Sequence, residues 1–235
     1  MKKNNVECVT FTNQGYVEYT INLINSIIKN KIQINLTVFT VDEESQNYLK
    51  NYPVQVKSLK ESFMQTNEFV DFHSKDFGYM MLYKFEMIYK SLLENEYVLY
   101  IDGDIVIKKN IIEYLLNEIG HKDMLIQNDH NPDKPNTINL CAGFMFIKSN
   151  KKTLNYFDPK NVDIKKLVNY SHHDQTYLNK NRNQFNFGIL PLEKFSNGPY
   201  FYNNNGNYEP NLIHFNFLVG DKKKDRIKEF NEWYL

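Results

Sequence analysis

Two aspartates around one glycine, Asp102-Gly103-Asp104, carry the clearest chemical signal in the chain. They interrupt an apolar run, Glu96-Tyr97-Val98-Leu99-Tyr100-Ile101 before and Ile105-Val106-Ile107 after. Such a Val-, Ile- and Tyr-rich run reads as a strand covered on both faces. The nearest lysines, Lys108 and Lys109, lie beyond it, so the two carboxylates need something else to offset their charge. A divalent cation such as Mg or Mn suits hard oxygen ligands. Gly103 adds no side chain, so a bulky ligand can approach its backbone. An ordinary Asp-Gly turn between strands has the same spelling, and the rest of the chain must decide.

The elements that would position this pair follow in order. Val6 to Phe11 reads as a strand, then Thr12-Asn13-Gln14-Gly15-Tyr16, with Asn13 a plausible helix cap. Ile21, Leu23, Ile24, Ile27 and Ile28 recur at helical spacing. Ile34 to Val41 predicts a second strand ending in Asp42-Glu43-Glu44, which can start a helix through Leu49; Pro53 to Val56 predicts a third strand. Strand–helix alternation implies a parallel sheet with ligands at the carboxyl ends of its strands, where Asn13, Tyr16 and Asp42 fall.

Phe77 to Leu93 is the clearest helix, and Lys84 sits on its apolar side. A lysine there usually snorkels to water. Ile111 to Ile119 is a short helix ended by Gly120, and Met124 to Gln127 and Gly143 to Ile147 are strand-like. The stretch 131–136 is turn-forming, and 150–171 is a weak pattern of a short helix and loops. His172-His173-Asp174-Gln175 starts a helix, capped by Asp174 or a neighbour. Adjacent histidines do not share a helix face, so they make a poor chelate alone. Ile189 to Leu192 is strand-like, and Leu212 to Gly220 is an apolar strand carrying His214.

Size and composition bound the function. The 235 residues are enough for one α/β domain with a real core, and no linker or repeat divides them. Hydrophobic content of 42% and charged content of 24% mark a globular chain. Lys+Arg and Asp+Glu both number 28, so nothing calls for nucleic acid as a partner. Two distant cysteines, Cys8 and Cys141, in apolar stretches suit buried thiols in a reducing compartment. With no signal-peptide core and no window of 18 apolar residues, a cytoplasmic location without a transmembrane segment is expected. Residues 222–235 mix basic residues with Phe230, Trp233 and Tyr234; they could lie on a membrane or a partner, though packing back on the domain is the commoner outcome.

Taken together, the motifs resemble the GT-A-fold glycosyltransferases, specifically the nucleotide-diphospho-sugar transferases related to glycogenin and to lipopolysaccharide galactosyltransferases. Five motifs in family order, over nearly the whole chain, carry the likeness. Thr10-Phe11-Thr12-Asn13-Gln14-Gly15-Tyr16 is similar to the first strand and loop that hold base and ribose. Lys84 is similar to the basic residue that binds phosphate. Asp102-Gly103-Asp104 is similar to the Asp-X-Asp metal site. Asp174-Gln175 is similar to the motif beside the reacting sugar. His214 with Gly220 and Lys223 is similar to the histidine ligand and the Gly-x-x-Lys that grips the diphosphate. Two departures stand out. Cys141-Ala142-Gly143 replaces an Asn-x-Gly, removing an amide from the donor sugar's surroundings, although Asn139 would share a face with Cys141. The His214–Gly220 gap is also longer than in glycogenin-like members, so Lys222 could substitute for Lys223.

The resemblance implies an α/β fold of GT-A type, a Rossmann-like, mostly parallel sheet flanked by helices in a single domain, 1–235. Residues 1–107 would form the nucleotide-binding half and 108–235 the acceptor-side half. It implies a metal-dependent glycosyltransferase with a UDP-sugar donor, a glycan, protein or lipid acceptor, and retention of anomeric configuration. Mn or Mg would sit on Asp102, Asp104 and His214, with the imidazole favouring Mn. Lys84 and Lys223 would neutralise the diphosphate, Tyr16 stack on the base, Asn13 bond its edge, and Asp174 and Gln175 flank the anomeric carbon. If the enzyme instead inverts, Asp129, His130 and His173 are candidate bases by residue type. Two other readings compete. A sugar-phosphate nucleotidyltransferase would carry a basic Gly-rich loop, but residues 12–16 contain no lysine or arginine. A non-catalytic carbohydrate- or Ca-binding module would need more spaced oxygen ligands than this chain offers.

Overall fold

The fold is that of a computed structural model, described for residues 5–59, 75–129, 131, 137–163, 165–166 and 173–235. The expected turn at 131–136, apart from Asn131, and His130, His172 and much of 164–172 lie outside the described residues.

The strands are β1 (Val6–Thr12), β2 (Leu36–Thr40), β3 (Gln55–Ser58), β4 (Tyr97–Ile101), β5 (Ile105–Ile107), β6 (Met124–Asn128), β7 (Leu140–Lys148), β8 (Phe187–Leu190), β9 (Phe195–Asn197) and β10 (Leu212–His214). The helices are α1 (Val17–Lys29), α2 (Glu43–Leu49), α3 (Lys75–Glu94), α4 (Ile112–Ile119), α5 (Lys151–Phe157), α6 (His173–Asn181), α7 (Gly198–Asn203) and α8 (Gly220–Glu229). Seven strands form one sheet in the order β3-β2-β1-β4-β7-β6-β8, and β5-β10-β9 form a second. The large sheet is mostly parallel, as expected, but β7 runs antiparallel to both β4 and β6. Strand order reverses between β1, which leads outward to β2 and β3, and β4 on its other side. A ligand crevice is expected at such a switch point, outside the carboxyl ends of the strands.

Helices cover both faces of the large sheet. One core packs α3 against Val98, Tyr100, Met145 and Ile147. The other packs α1 and α4 against Leu99, Ile101, Phe144 and Phe146. Residues of β4 alternate between these cores, which is why that strand is apolar at every position.

Several expected boundaries move. The run through 96–107 is two strands in two sheets, because the Asp102-Gly103-Asp104 turn redirects the chain into the small sheet. The third strand is Gln55–Ser58 rather than 53–56, and β8 ends at Leu190. The strand expected across 212–220 stops at His214. Asn13 does not cap with its side chain; it precedes a 3₁₀ turn, Gln14–Tyr16, that leads into α1. Asp42 does cap: its carboxylate accepts from the Ser45 N–H at 2.7 Å and from the Gln14 N–H at 2.9 Å. The end of β2 thereby holds the loop after β1. The tail packs back on the domain. Trp233 meets Tyr19 edge-on, and the Asn22 side chain accepts from the Tyr234 N–H at 2.6 Å and donates to the Glu232 carbonyl at 3.0 Å.

Candidate active site

A cleft of about 810 Å³ opens at the switch point, floored by Asp102, Gly103 and Asp104. Local pairing explains how the acidic residues meet His214. Asp102 extends the β4–β7 ladder by donating its N–H to the Gly143 carbonyl at 2.8 Å. Asp104 precedes Ile105, which pairs with His214 across the β5–β10 ladder, and the Phe215 N–H donates to the Asp104 carbonyl at 3.0 Å. The sheets thus bring the end of β4, the start of β5 and the end of β10 to one place. His214 Nε2 lies 3.1 Å from Asp104 Oδ1 and 4.0 Å from Asp102 Oδ2, and one ligand atom from each residue lies within 4.8 Å of the others.

This donor set, two carboxylate oxygens and one imidazole nitrogen, fits a divalent cation such as Mn. The wall behind it is shaped to match. A Cβ on Gly143 would lie 2.4 Å from His214 Cε1 and 2.5 Å from Asp102 Oδ2, so only glycine leaves those two side chains in place.

Electrostatics are balanced within the chain. Lys84 does not snorkel: it is buried, with Nζ 2.6 Å from Asp174 Oδ2, 3.5 Å from Asp102 Oδ1 and 4.4 Å above the Tyr100 ring. Burial disfavours its charge, but the carboxylates of Asp102 and Asp174 hold its pKa above the usual lysine value. Burial would likewise raise the Asp104 carboxyl, yet Lys223, at 2.5 Å, and His214 hold it well below the usual carboxylate range. Burial opposes the imidazolium of His214, and Asp104 and Cys141 more than compensate, raising it well above an ordinary histidine. The Tyr100 hydroxyl donates to Asp102 Oδ1.

Most of the residues singled out from the sequence reach this cleft. Phe11, Thr12, Asn13, Tyr16, Lys84, Asp174, Gln175, Gly220 and Lys223 line it with the acidic pair and His214. Thr10 does not; it is fully buried within β1. Lys223 rather than the exposed Lys222 faces Asp104, and Gly220 takes a left-handed φ of +55°, which favours glycine. Asp174 lies in the first turn of α6 and spends its carboxylate on Lys84.

Asp129, Asn139 and Gln175 stand out singly in the sequence, but their convergence with Asn216 in one amide cluster was missed. Asp129 accepts from Gln175 Nε2 at 2.7 Å, Asn139 Nδ2 at 3.1 Å and Asn216 Nδ2 at 2.7 Å. Asn139 lies just before β7 and turns to Asp129, and it lines the cleft together with Cys141, as the expected alternation requires, while Leu140 between them is buried in the core. No local pattern marks this cluster, because its members come from four separate segments.

Gly103 offers a direct check on the floor. A Cβ there would fall 2.8 Å from Thr20 Oγ1 on α1, while the Thr20 backbone stands back at 3.4 Å or more. Gly103→Ala is expected to cost about 1–3 kcal/mol in urea unfolding by overpacking, and the double variant with Thr20→Ala should recover most of it. Additive losses in the double variant would show that the two residues do not compete for this space.

The same fold occurs in solved glycosyltransferases of the GT-A class. The galactosyltransferase LgtC, in complex with donor and acceptor sugar analogues, superposes with a TM-score of 0.57 at 11% identity, over 88% of this chain and 86% of its own. The bifunctional glycosyltransferase WbbM gives 0.60 at 16% identity, over 92% of this chain and 46% of that one. Residues 31–227 match the nucleotide-diphospho-sugar transferase family, and the chain belongs to it. A UDP-galactose:fucoside alpha-3-galactosyltransferase from Dictyostelium discoideum is 26% identical across 59% of this chain. The chain spans only a quarter of that relative's length. No helix among the described residues is long and apolar enough to cross a membrane.

Proposed function

We propose that this chain is a metal-dependent glycosyltransferase that moves a sugar from a UDP-sugar to an acceptor hydroxyl with retention of configuration. The observation that carries the reading is the convergence of Asp102, Asp104 and His214 on the floor of the cleft. Asp102, Asp104 and His214 would hold Mn, or Mg. When bound, the ion supplies Lewis-acid stabilisation of the diphosphate as negative charge develops on it.

The chain's own residues divide the remaining work. Lys84 and Lys223 stand on either side of the acidic pair and supply positive charge for the leaving diphosphate. Phe11, Thr12, Asn13 and Tyr16 form the base and ribose wall, Gly103 offers its bare backbone on the floor beside them, and Gly220 shapes the turn before Lys223. Asp174 and Gln175 flank the position of the anomeric carbon. Residues 1–107 then serve as the nucleotide half and 108–235 as the acceptor side. The two buried thiols fit a reducing, cytoplasmic setting.

Thermal unfolding tests the reading. UDP and Mn together, at about a hundred times the dissociation constant, should stabilise by about 2.7 kcal/mol, a rise of about 5–10 °C in midpoint, with much smaller rises for either alone. No rise at millimolar UDP and Mn sinks the proposal. Because the Dictyostelium relative is named for UDP-galactose, that donor heads the panel for metal-dependent hydrolysis.

A further inference from the structure

Gln127 is completely buried at the carboxyl end of β6. Its side chain bridges two elements of the small sheet. Nε2 donates to the backbone carbonyls of Phe195 at 3.1 Å and Ser196 at 3.0 Å, and Oε1 lies 2.8 Å from His214 Nδ1. Carbonyl oxygens only accept, so the NH₂ of the amide must face β9 and its oxygen must face the imidazole. An oxygen at that distance requires a proton on His214 Nδ1. The Cys141 Sγ, at 3.5 Å from the same nitrogen, is a more distant second neighbour. With Nδ1 committed, the other nitrogen, Nε2, is the one presented to Asp102 and Asp104.

The strand is built to make this contact. Ile126 pairs with Met145, but Gln127 pairs with Cys141, so residues 142–144 of β7 have no counterpart on β6. Irregularities of this kind re-aim a side chain. Here one irregularity serves two ends: the extra β7 residues include Gly143, whose carbonyl holds Asp102, while Gln127 holds His214.

We propose that Gln127 is a positioning residue that fixes the tautomer and ring orientation of His214, so that Nε2 faces the Asp102–Asp104 cation site. This rests on the metal reading above. Outer partners of metal-bound histidines act in this way, and their loss typically weakens the metal about 10- to 100-fold.

The test is Mn(II) titration of the folded chain with UDP present, followed by electron paramagnetic resonance of free Mn(II), together with the visible spectrum of the Co(II) form. Gln127→Leu should weaken Mn(II) about 10- to 100-fold and shift the Co(II) bands, because the ring is free to turn. Gln127→Glu keeps an acceptor for the Nδ1 proton but loses the donor to the Phe195 and Ser196 carbonyls, so its Mn(II) affinity should fall between those of wild type and Gln127→Leu. Gln127→Met serves as the second variant if the leucine form does not fold. If wild-type Mn(II) affinity is measurable and the leucine and methionine variants match it with unchanged Co(II) bands, the positioning role is overturned and the metal reading stands. If the wild-type chain itself binds no Mn(II) with UDP present, both fail.

Discussion

Asp104→Asn is expected to lower sugar transfer by about two to three orders of magnitude and to erase the Mn-dependent part of the thermal shift. The replacement keeps the shape of the side chain but removes the charge that Lys223 and His214 both face. Circular dichroism should still report the wild-type helix content, since Asp104 sits in a turn rather than an element. The variant should also change the acid limb of stability. In the native fold the carboxyl lies well below its unfolded value of about 3.9, so its contribution is complete above that pH and drains as the pH falls further. Urea midpoints between pH 5 and pH 2 should therefore fall less steeply for Asp104→Asn than for wild type. Retention of Mn-dependent transfer near the wild-type rate would remove Asp104 from the site.

Gly143→Ala should be almost as damaging, without altering any ionisable group. Its methyl would lie 2.4 Å from His214 Cε1 and 2.5 Å from Asp102 Oδ2, distances that real Cβ atoms do not show. Either the imidazole and the carboxylate separate or β7 shifts, and overpacking of this kind costs about 1–3 kcal/mol. Transfer is expected to drop about a hundredfold or more, because displacing reacting or binding groups by about 1 Å has effects of that size. UDP affinity measured without metal should change much less. Equal losses in UDP binding with and without Mn would point instead to general collapse of the cleft.

The strands and long helices were legible in the sequence because each buries a local stripe of apolar residues. The family likeness likewise marks Asp102, Asp104 and His214 as one set. What local patterns did not reveal is non-local. The run from Tyr97 to Ile107 is interrupted by a spelling that suits an Asp-Gly turn, but nothing in it says that the last three residues join a different sheet. Cys141 to Ile147 is equally apolar whether β7 runs up or down, so its antiparallel course was hidden. Lys84 follows the pattern of a snorkelling lysine until Asp174, ninety residues away, is brought to 2.6 Å. Gln127 looks like the polar last residue of a short strand; only the irregularity against β7 turns it toward His214.

The division of the chain into two sheets has a mechanical corollary. Asp102 rides on the larger sheet, whereas Asp104 and His214 ride on the smaller one, so a slip between the two slabs would pull the triad apart even if each stayed intact. The smaller slab is seated by its own satellite core, in which Val106, Ile213 and Phe215 meet Phe201 and Ile227. Damage to that seating would surface as weakened ligand affinity, although none of those five side chains lines the cleft.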